Sequence, residues 1–270
     1  MELEKRKSLL ELAISAALKA GEEILSVYHS DDFHVETKAD DSPLTMADKK
    51  AHNVIASMLE PLGIPLLSEE GAHLSFEERS KWDSLWIVDP LDGTKEFIKR
   101  NDEFTVNIAL ICENTPVCGV IYIPVYKQLY FGDVTLGAYR IENITEWSGS
   151  LNELLDQAIT LPVQQNLKSY TVVGSRSHMN EQTQQFIEEI KLAHDTVEFI
   201  SRGSSLKLCM VAQGDADIYP RFAPTMEWDT AAGDAIVRAA GFQVVLAQDN
   251  RPLLYNKESL TNPWFIAGRR

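Results

Sequence analysis

The stretch Trp86 to Phe97, WIVDPLDGTKEF, restricts this chain more than any other. Trp86, Ile87 and Val88 read as the end of a buried strand, and acidic side chains follow at once at Asp89 and Asp92, where the strand must stop. Pro90 fixes its own φ and lacks an N–H, so the chain is expected to turn there. The three-residue spacing across that turn aims both carboxylates into one pocket. Gly93 and Thr94 then open a short helix whose free N–H groups favour a phosphate. Carboxylates that collect hard cations, set beside a phosphate cradle, point to a Mg²⁺-dependent phosphoryl-transfer site.

Upstream of that stretch, Leu10, Ile14, Ala17, Leu18, Gly21, Ile24, Leu25 and Tyr28 recur at helical spacing and predict a long amphipathic helix ending near His29 and Ser30. Val35 to Pro43 is polar and turn-rich. Thr45 precedes a second helical pattern through Ala51, Val54, Ile55, Met58 and Leu59, closed by Pro61 and Gly63. Asp48 follows Thr45 by three residues, the spacing of a capping box, so spacing alone favours capping as its role. Pro65 to Ser68 is a short apolar run that ends in the acidic pair Glu69 and Glu70.

Downstream, TVNIALIC, VCGVIYIPV, QLYFGD and GAYRI read as successive strands of an antiparallel meander, with turns at Glu113 to Pro116 and Val125 to Gln128. Ile144 to Gln157 is poorly patterned and reads as a join between halves. Beyond it strands and helices alternate: YTVVG, a helix over Asn180 to Leu192, TVEFI, a helix over Ser204 to Gln213, ADIYP, a helix over Asp229 to Ala240, then FQVVL and WFIAG. The fold class is α/β (α+β), with two intimately packed parts and no internal repeat.

At 270 residues and 44% apolar content the chain can bury a sizeable core. No apolar run reaches the length of a membrane span, and the N-terminus carries charges through its apolar positions, unlike a signal peptide. A cytoplasmic protein is the expectation. Cys112, Cys118 and Cys209 lack metal-type spacing and read as buried apolar fillers in a reducing compartment. A formal charge of −15 repels polymeric nucleic acid. A small anionic substrate remains compatible, because bound divalent cations reverse the field locally.

A third acid cluster, EWDTAAGD, sets Asp229 at the start of a small-residue helix, where an N-cap is the simplest role. Glu69, Asp89, Asp92 and Asp229 each fall at a strand end or helix start, in a chain whose alternation brings such ends to one rim. A Mg²⁺ cluster needs several such oxygens. DPLDGT also resembles the start of haloacid-dehalogenase phosphatases, but their nucleophile and acid stand two residues apart, whereas Asp89 and Asp92 stand three apart. A calcium EF-hand loop fails for want of an acid at its third position and of flanking helices. Three polar stretches that follow or end predicted strands, Gly174 to His178, Gly203 to Lys207 and Tyr219 to Arg221, carry basic and hydroxyl groups suited to an anionic ligand. Taken singly, His178 and Lys207 are ordinary surface or helix-end residues.

Taken together, WIVDPLDGTKEF, WDTAAGDAIVRAAG, SEEG and TMAD resemble the signatures of the inositol monophosphatase superfamily, nearly end to end. KEFIKRNDEFTVNIALI, GSRSH, GSSLKLC and IYPR are similar to its 3'(2'),5'-bisphosphate nucleotidase family. One departure, AAGF for the AAGG of many relatives, bears on a helix exit. The resemblance implies a layered α/β/α/β/α sandwich of the sugar-phosphatase type. It assigns Glu69, Asp89, Asp92, Asp229 and the Leu91 carbonyl to two or three Mg²⁺ ions, and Gly93 and Thr94 to the scissile phosphate. Thr94 and Asp48 would orient and help deprotonate the attacking water, assisted by Glu69, while His178, Ser204, Lys207 and Arg221 would hold the nucleotide. This overturns the capping preference for Asp48 and Asp229, although Asp229 can do both.

The resemblance further implies hydrolysis of the 3'-phosphate of adenosine 3',5'-bisphosphate to AMP and phosphate, sensitivity to lithium, and a place in sulfur assimilation. The rivals are inositol phosphates or fructose bisphosphate as substrate, and a silent nucleotide- or metal-binding protein. Residues 1–143 would form an N-terminal part carrying most metal ligands and residues 144–270 a C-terminal part carrying the nucleotide-binding residues, as one catalytic unit. Monomer or homodimer, and contact with the inner membrane face, are left open.

Overall fold

The computed structural model describes residues 1–30, 35–37, 43–72, 74–163, 169–175 and 179–269. Helix α1 (Leu3–Tyr28) starts seven residues before its clear apolar periodicity and ends where expected. A two-residue ladder, β1 (Glu36–Thr37) with β2 (Pro43–Leu44), leads to α2 (Met46–Leu59), closed by a 3₁₀ turn with Gly63 in the left-handed region. Then come β3 (Leu66–Ser68), α3 (Phe76–Arg79), β4 (Ser84–Asp92), α4 (Thr94–Ile98), β5 (Thr105–Cys112), β6 (Thr115–Ile123), β7 (Gln128–Asp133) and β8 (Gly137–Ile141). Next are α5 (Leu151–Gln157), β9 (Ile159–Leu161), β10 (Tyr170–Ser175), α6 (Glu181–Ala193), β11 (Val197–Arg202), α7 (Leu206–Gln213) and β12 (Ile218–Arg221). Helix α8 (Glu227–Ala239), β13 (Gln243–Leu246) and β14 (Phe265–Gly268) complete the chain.

Strands β3 to β9 form one seven-stranded sheet in sequence order, parallel only between β3 and β4. The expected meander is present as β5 to β8, and its first turn places Glu113 and Asn114 at positive φ, as a tight hairpin requires. Five strands make a second, mixed sheet in the order β11-β10-β12-β14-β13. Strand β4 shows how the layers stack. Trp86 and Val88 pack with α1 and α2, through Ile14, Ile24 and Ile55. Leu85 and Ile87, on the other face, pack with Leu208 and Val211 of α7, Ala231 and Ile236 of α8, and Val173, Tyr219 and Phe265 of the second sheet. Burial on both faces is why the strand reads as an unbroken apolar run. Helix α6 packs on β12, where Phe186 meets Phe222. The layers therefore run α/β/α/β/α. Among the described residues no helix is long and apolar enough to cross a membrane.

Two expectations need correction. Strand β4 does not stop at Asp89: it runs through Pro90 to Asp92 with a register shift, Asp89 facing Asn107 and Asp92 facing Thr105. The extra residue is a bulge, one of the few sheet positions where a missing N–H does no harm. The stretch from Ile144 to Gln157 is also not all irregular, because Ser150 and Glu153 form a capping box that starts α5. Of the cysteines, Cys118 and Cys209 are buried, whereas Cys112 is only half-buried at the end of β5, beside Ser84.

Helix α8 lies directly on the large sheet. A Cβ on Gly119 of β6 would stand 2.3 Å from the Ala232 carbonyl oxygen and 2.8 Å from the Ala235 Cβ. Gly119→Ala is expected to lower the urea midpoint by the equivalent of about 1–3 kcal/mol, the usual cost of overpacking. An unchanged midpoint would mean that sheet and helix can part at this point.

Candidate active site

The parallel register of β3 with β4 pairs Ser68 with Val88, so Glu69 and Asp89 leave the same end of the sheet side by side. The Glu69 N–H donates to the Val88 carbonyl at 3.1 Å. Asp89 is 2% exposed, and its Oδ1 accepts the Leu91 N–H at 3.0 Å across the bulge. Gly93 then sits at φ +96°, and a Cβ there would stand 3.0 Å from the Glu103 carbonyl oxygen, so only glycine suits the corner into α4.

Asp48 serves two elements with its two oxygens. Oδ2 accepts the Thr45 N–H at 2.7 Å and the Thr45 hydroxyl at 2.6 Å, closing the capping box of α2, while Oδ1 faces the Thr94 hydroxyl at 3.1 Å. The Leu91 carbonyl is the other acceptor within reach of that hydroxyl, at 3.3 Å. A threonine with one proton and two acceptors, one of them a buried carboxylate, can also accept a proton from a donor in the site.

Asp229 is not the N-cap of α8. The helix starts at Glu227, Met226 is the cap, and Asp229 stands on the third helical residue with Oδ2 accepting the Met226 N–H at 2.7 Å. Oxygens of Glu69, Asp89 and Asp229 lie within 4.8 Å of one another. Burial, then the charges of Glu69, Asp92 and Asp229, push the Asp89 carboxyl well above the usual carboxylate range. Burial and then Asp92 push Asp229 up to about 8. Three acids so close repel one another unless a cation lies between them. An all-oxygen donor set with little freedom suits a hard divalent ion.

Asp92 stands apart from that trio. Its Oδ2 accepts the hydroxyls of Ser204 at 2.7 Å and Ser205 at 2.8 Å and the Asn107 amide at 3.4 Å, which ties it to the second half of the chain. Asp92 and Asp229 line a cavity of about 590 Å³ together with Gly93, Ser204, Lys207 and Arg221. Lys207 is buried, donates to the Arg202 carbonyl at 3.3 Å and to the Ser204 carbonyl, and is lowered to about 8 by burial against the pull of Asp92. Arg221 donates Nη2 to the Pro224 carbonyl at 2.9 Å, and its buried Nε meets no acceptor among the described residues. The cavity is thus lined by both carboxylates and cations. His178 lies outside the described residues. Asn107 and Ser205 were missed by the sequence reading. The signal for Asn107 is an amide inside the apolar strand TVNIALIC, and for Ser205 a second hydroxyl in GSSLK.

The profile of the inositol monophosphatase family matches residues 5–268. The 3'(2'),5'-bisphosphate nucleotidase CysQ of Salmonella typhimurium is 43% identical over 260 residues, covering 95% of this chain and 98% of that protein. Its namesake in Haemophilus influenzae is 33% identical over 267 residues, covering 96% and 91%. Among solved structures, CysQ from Bacteroides thetaiotaomicron, described as a bacterial member of the inositol monophosphatase family, superposes with a TM-score of 0.91 at 52% identity over 97% of each chain. Staphylococcal IMPase-II with inositol monophosphate bound, at 21% identity and a TM-score of 0.71, shares the fold.

Proposed function

The chain belongs to the inositol monophosphatase family, and from that premise we infer that it is a phosphoric monoester hydrolase acting on the 3'-phosphate of adenosine 3',5'-bisphosphate, giving AMP and phosphate. What carries the reading is the convergence of Glu69, Asp89 and Asp229, with the Thr94–Asp48 pair bonded beside them, and the cavity that Asp229 lines together with Lys207 and Arg221. Likeness to bisphosphate nucleotidases over nearly the whole chain supports the choice of substrate.

Glu69, Asp89, Asp92, Asp229 and the Leu91 carbonyl would hold two or three Mg²⁺ ions. When bound, these supply Lewis-acid stabilisation of the phosphate's charge and make water acidic enough to act as a nucleophile at neutral pH. The protein's own groups do the rest. Thr94 Oγ1 accepts a proton from the attacking water as it passes its own toward Asp48 Oδ1, which the capping bonds on Oδ2 hold in place. Glu69 would assist that proton transfer. The amides of Gly93 and Thr94 steady the scissile phosphate. Lys207 and Arg221, with Ser204 and His178, bind the rest of the nucleotide. In this reading residues 1–143 and 144–270 work as one catalytic unit, sensitive to lithium.

Phosphate release over a panel of adenosine 3',5'-bisphosphate, inositol 1-phosphate and fructose 1,6-bisphosphate tests the choice. A clear preference for either sugar ester would replace the nucleotide in this account. Thr94→Val, which keeps the shape and removes the hydroxyl, is expected to lower kcat about 10²-fold, a usual share for one proton-handling group, with little change in KM. An unaltered kcat would remove the Thr94–Asp48 pair from the chemistry.

A further inference from the structure

Strand β5 is buried along most of its length, and the polar side chains among its buried residues are Thr105 and Asn107, 0% and 1% exposed. A buried amide is costly unless its donors and acceptor are all paired. Those of Asn107 are. Nδ2 donates to Ser205 Oγ at 2.8 Å and to Asp92 Oδ2 at 3.4 Å, while Oδ1 accepts from Thr105 Oγ1 at 3.0 Å. The carboxylate dictates this orientation of the amide, because an acceptor-only Asp92 must face the nitrogen.

Thr105 Oγ1 also lies 2.7 Å from Ser204 Oγ, so its one proton is shared between that hydroxyl and Asn107 Oδ1, while the donors around Asp92 can all be satisfied together. Ser205 Oγ lies between Asp92 Oδ2 at 2.8 Å and the Asp229 backbone carbonyl at 3.1 Å. The charge-assisted bond is the stronger, so the Ser205 proton goes to Asp92, and the Asn107 N–H fills the lone pair behind it. Ser204 supplies a further donor to Oδ2 at 2.7 Å from a left-handed backbone, φ +46°. Asp92 Oδ2 is thereby fully engaged, and Oδ1 is the oxygen left for the cavity that Asp92 lines.

We propose that Asn107 is a positioning residue: acting through Ser205, it locks the Asp92 rotamer so that Oδ1 faces the metal site across the boundary between the large sheet and α7. The proposal rests on the reading of the four acids as metal ligands. Removing such an outer partner typically weakens metal binding 10- to 100-fold. In a Mn²⁺ titration of the full chain followed by electron paramagnetic resonance, Asn107→Leu and Ser205→Ala are each expected to bind about tenfold more weakly than wild type. The double variant is expected to be no weaker than the weaker single one, since both act through one carboxylate. With the bisphosphate, kcat at fixed Mg²⁺ falls while KM stays close to wild type. If Asn107→Leu does not fold, Ser205→Ala carries the test. Wild-type Mn²⁺ affinity in Ser205→Ala, or losses that simply add, would overturn the proposal. Wild-type Mn²⁺ binding with the expected losses but no turnover of the bisphosphate would instead overturn the assigned reaction and leave the positioning role standing.

Discussion

Asp89→Asn is expected to abolish phosphate release, by about 10³-fold or more, in a protein whose metal-free form melts no lower than wild type. The two effects have one origin. Asp89 is 2% exposed and is surrounded by Glu69, Asp92 and Asp229, so its charge is unfavourable in the folded chain until a cation offsets it. The amide keeps the volume, and its oxygen still accepts the Leu91 N–H seen at 3.0 Å in wild type, while the repulsion is gone. What disappears is the anionic oxygen from the centre of the acid cluster. Lewis-acid stabilisation is worth several kcal/mol, and about 4 kcal/mol is a factor of about 10³ in rate. Activity within tenfold of wild type at saturating Mg²⁺ would remove Asp89 from the site. A large drop in the metal-free melting temperature would show that its carboxylate serves the fold instead.

How much of this was legible depends on how far apart the cooperating residues lie in sequence. The buried run Trp86 to Val88 and the corner at Gly93 are local, and the residue pattern of that one stretch located them. The bulge at Pro90 was not legible, because proline ordinarily marks the end of a strand and only the partner strand shows that pairing resumes at Asp92 and Thr105. Spacing suggested capping for Asp48 and the family resemblance a pair with Thr94, and both describe real bonds, on different oxygens. The position of Asp229, read as the cap, was misread by three residues because the cap, Met226, is not a capping residue type, which hides where α8 begins. The likeness of the motifs to a known family named the ligand set that spacing left ambiguous. Neither route reached Asn107, whose partner Ser205 lies 98 residues away. An amide in an apolar strand announces that something must satisfy it and does not say what.

The second large effect concerns pH. Without metal, the carboxyls of Asp89 and Asp229 are raised in the folded state, Asp229 to about 8, against an unfolded value near 3.8. Between those values the folded chain holds more protons than the unfolded one, so stability falls as pH rises from about 4 to about 8. A divalent cation binds the ionised form, must displace those protons, and stabilises most where they are already gone. Because Asp229 faces the cavity and is only half-buried, solvent screening reduces the swing well below the full shift. A difference of about 2 kcal/mol corresponds to about 4–8 °C for a chain of this size, so Mg²⁺ should raise Tm by that much more at pH 8 than at pH 5.5. Calorimetric titration of Mg²⁺ at pH 7 in two buffers of different ionisation enthalpy should report on the order of one proton released per site. In Asp89→Asn both the release and the pH dependence should shrink together. If Mg²⁺ raised Tm equally at both pH values, with no buffer-dependent heat, the raised carboxyls would not be the groups it binds.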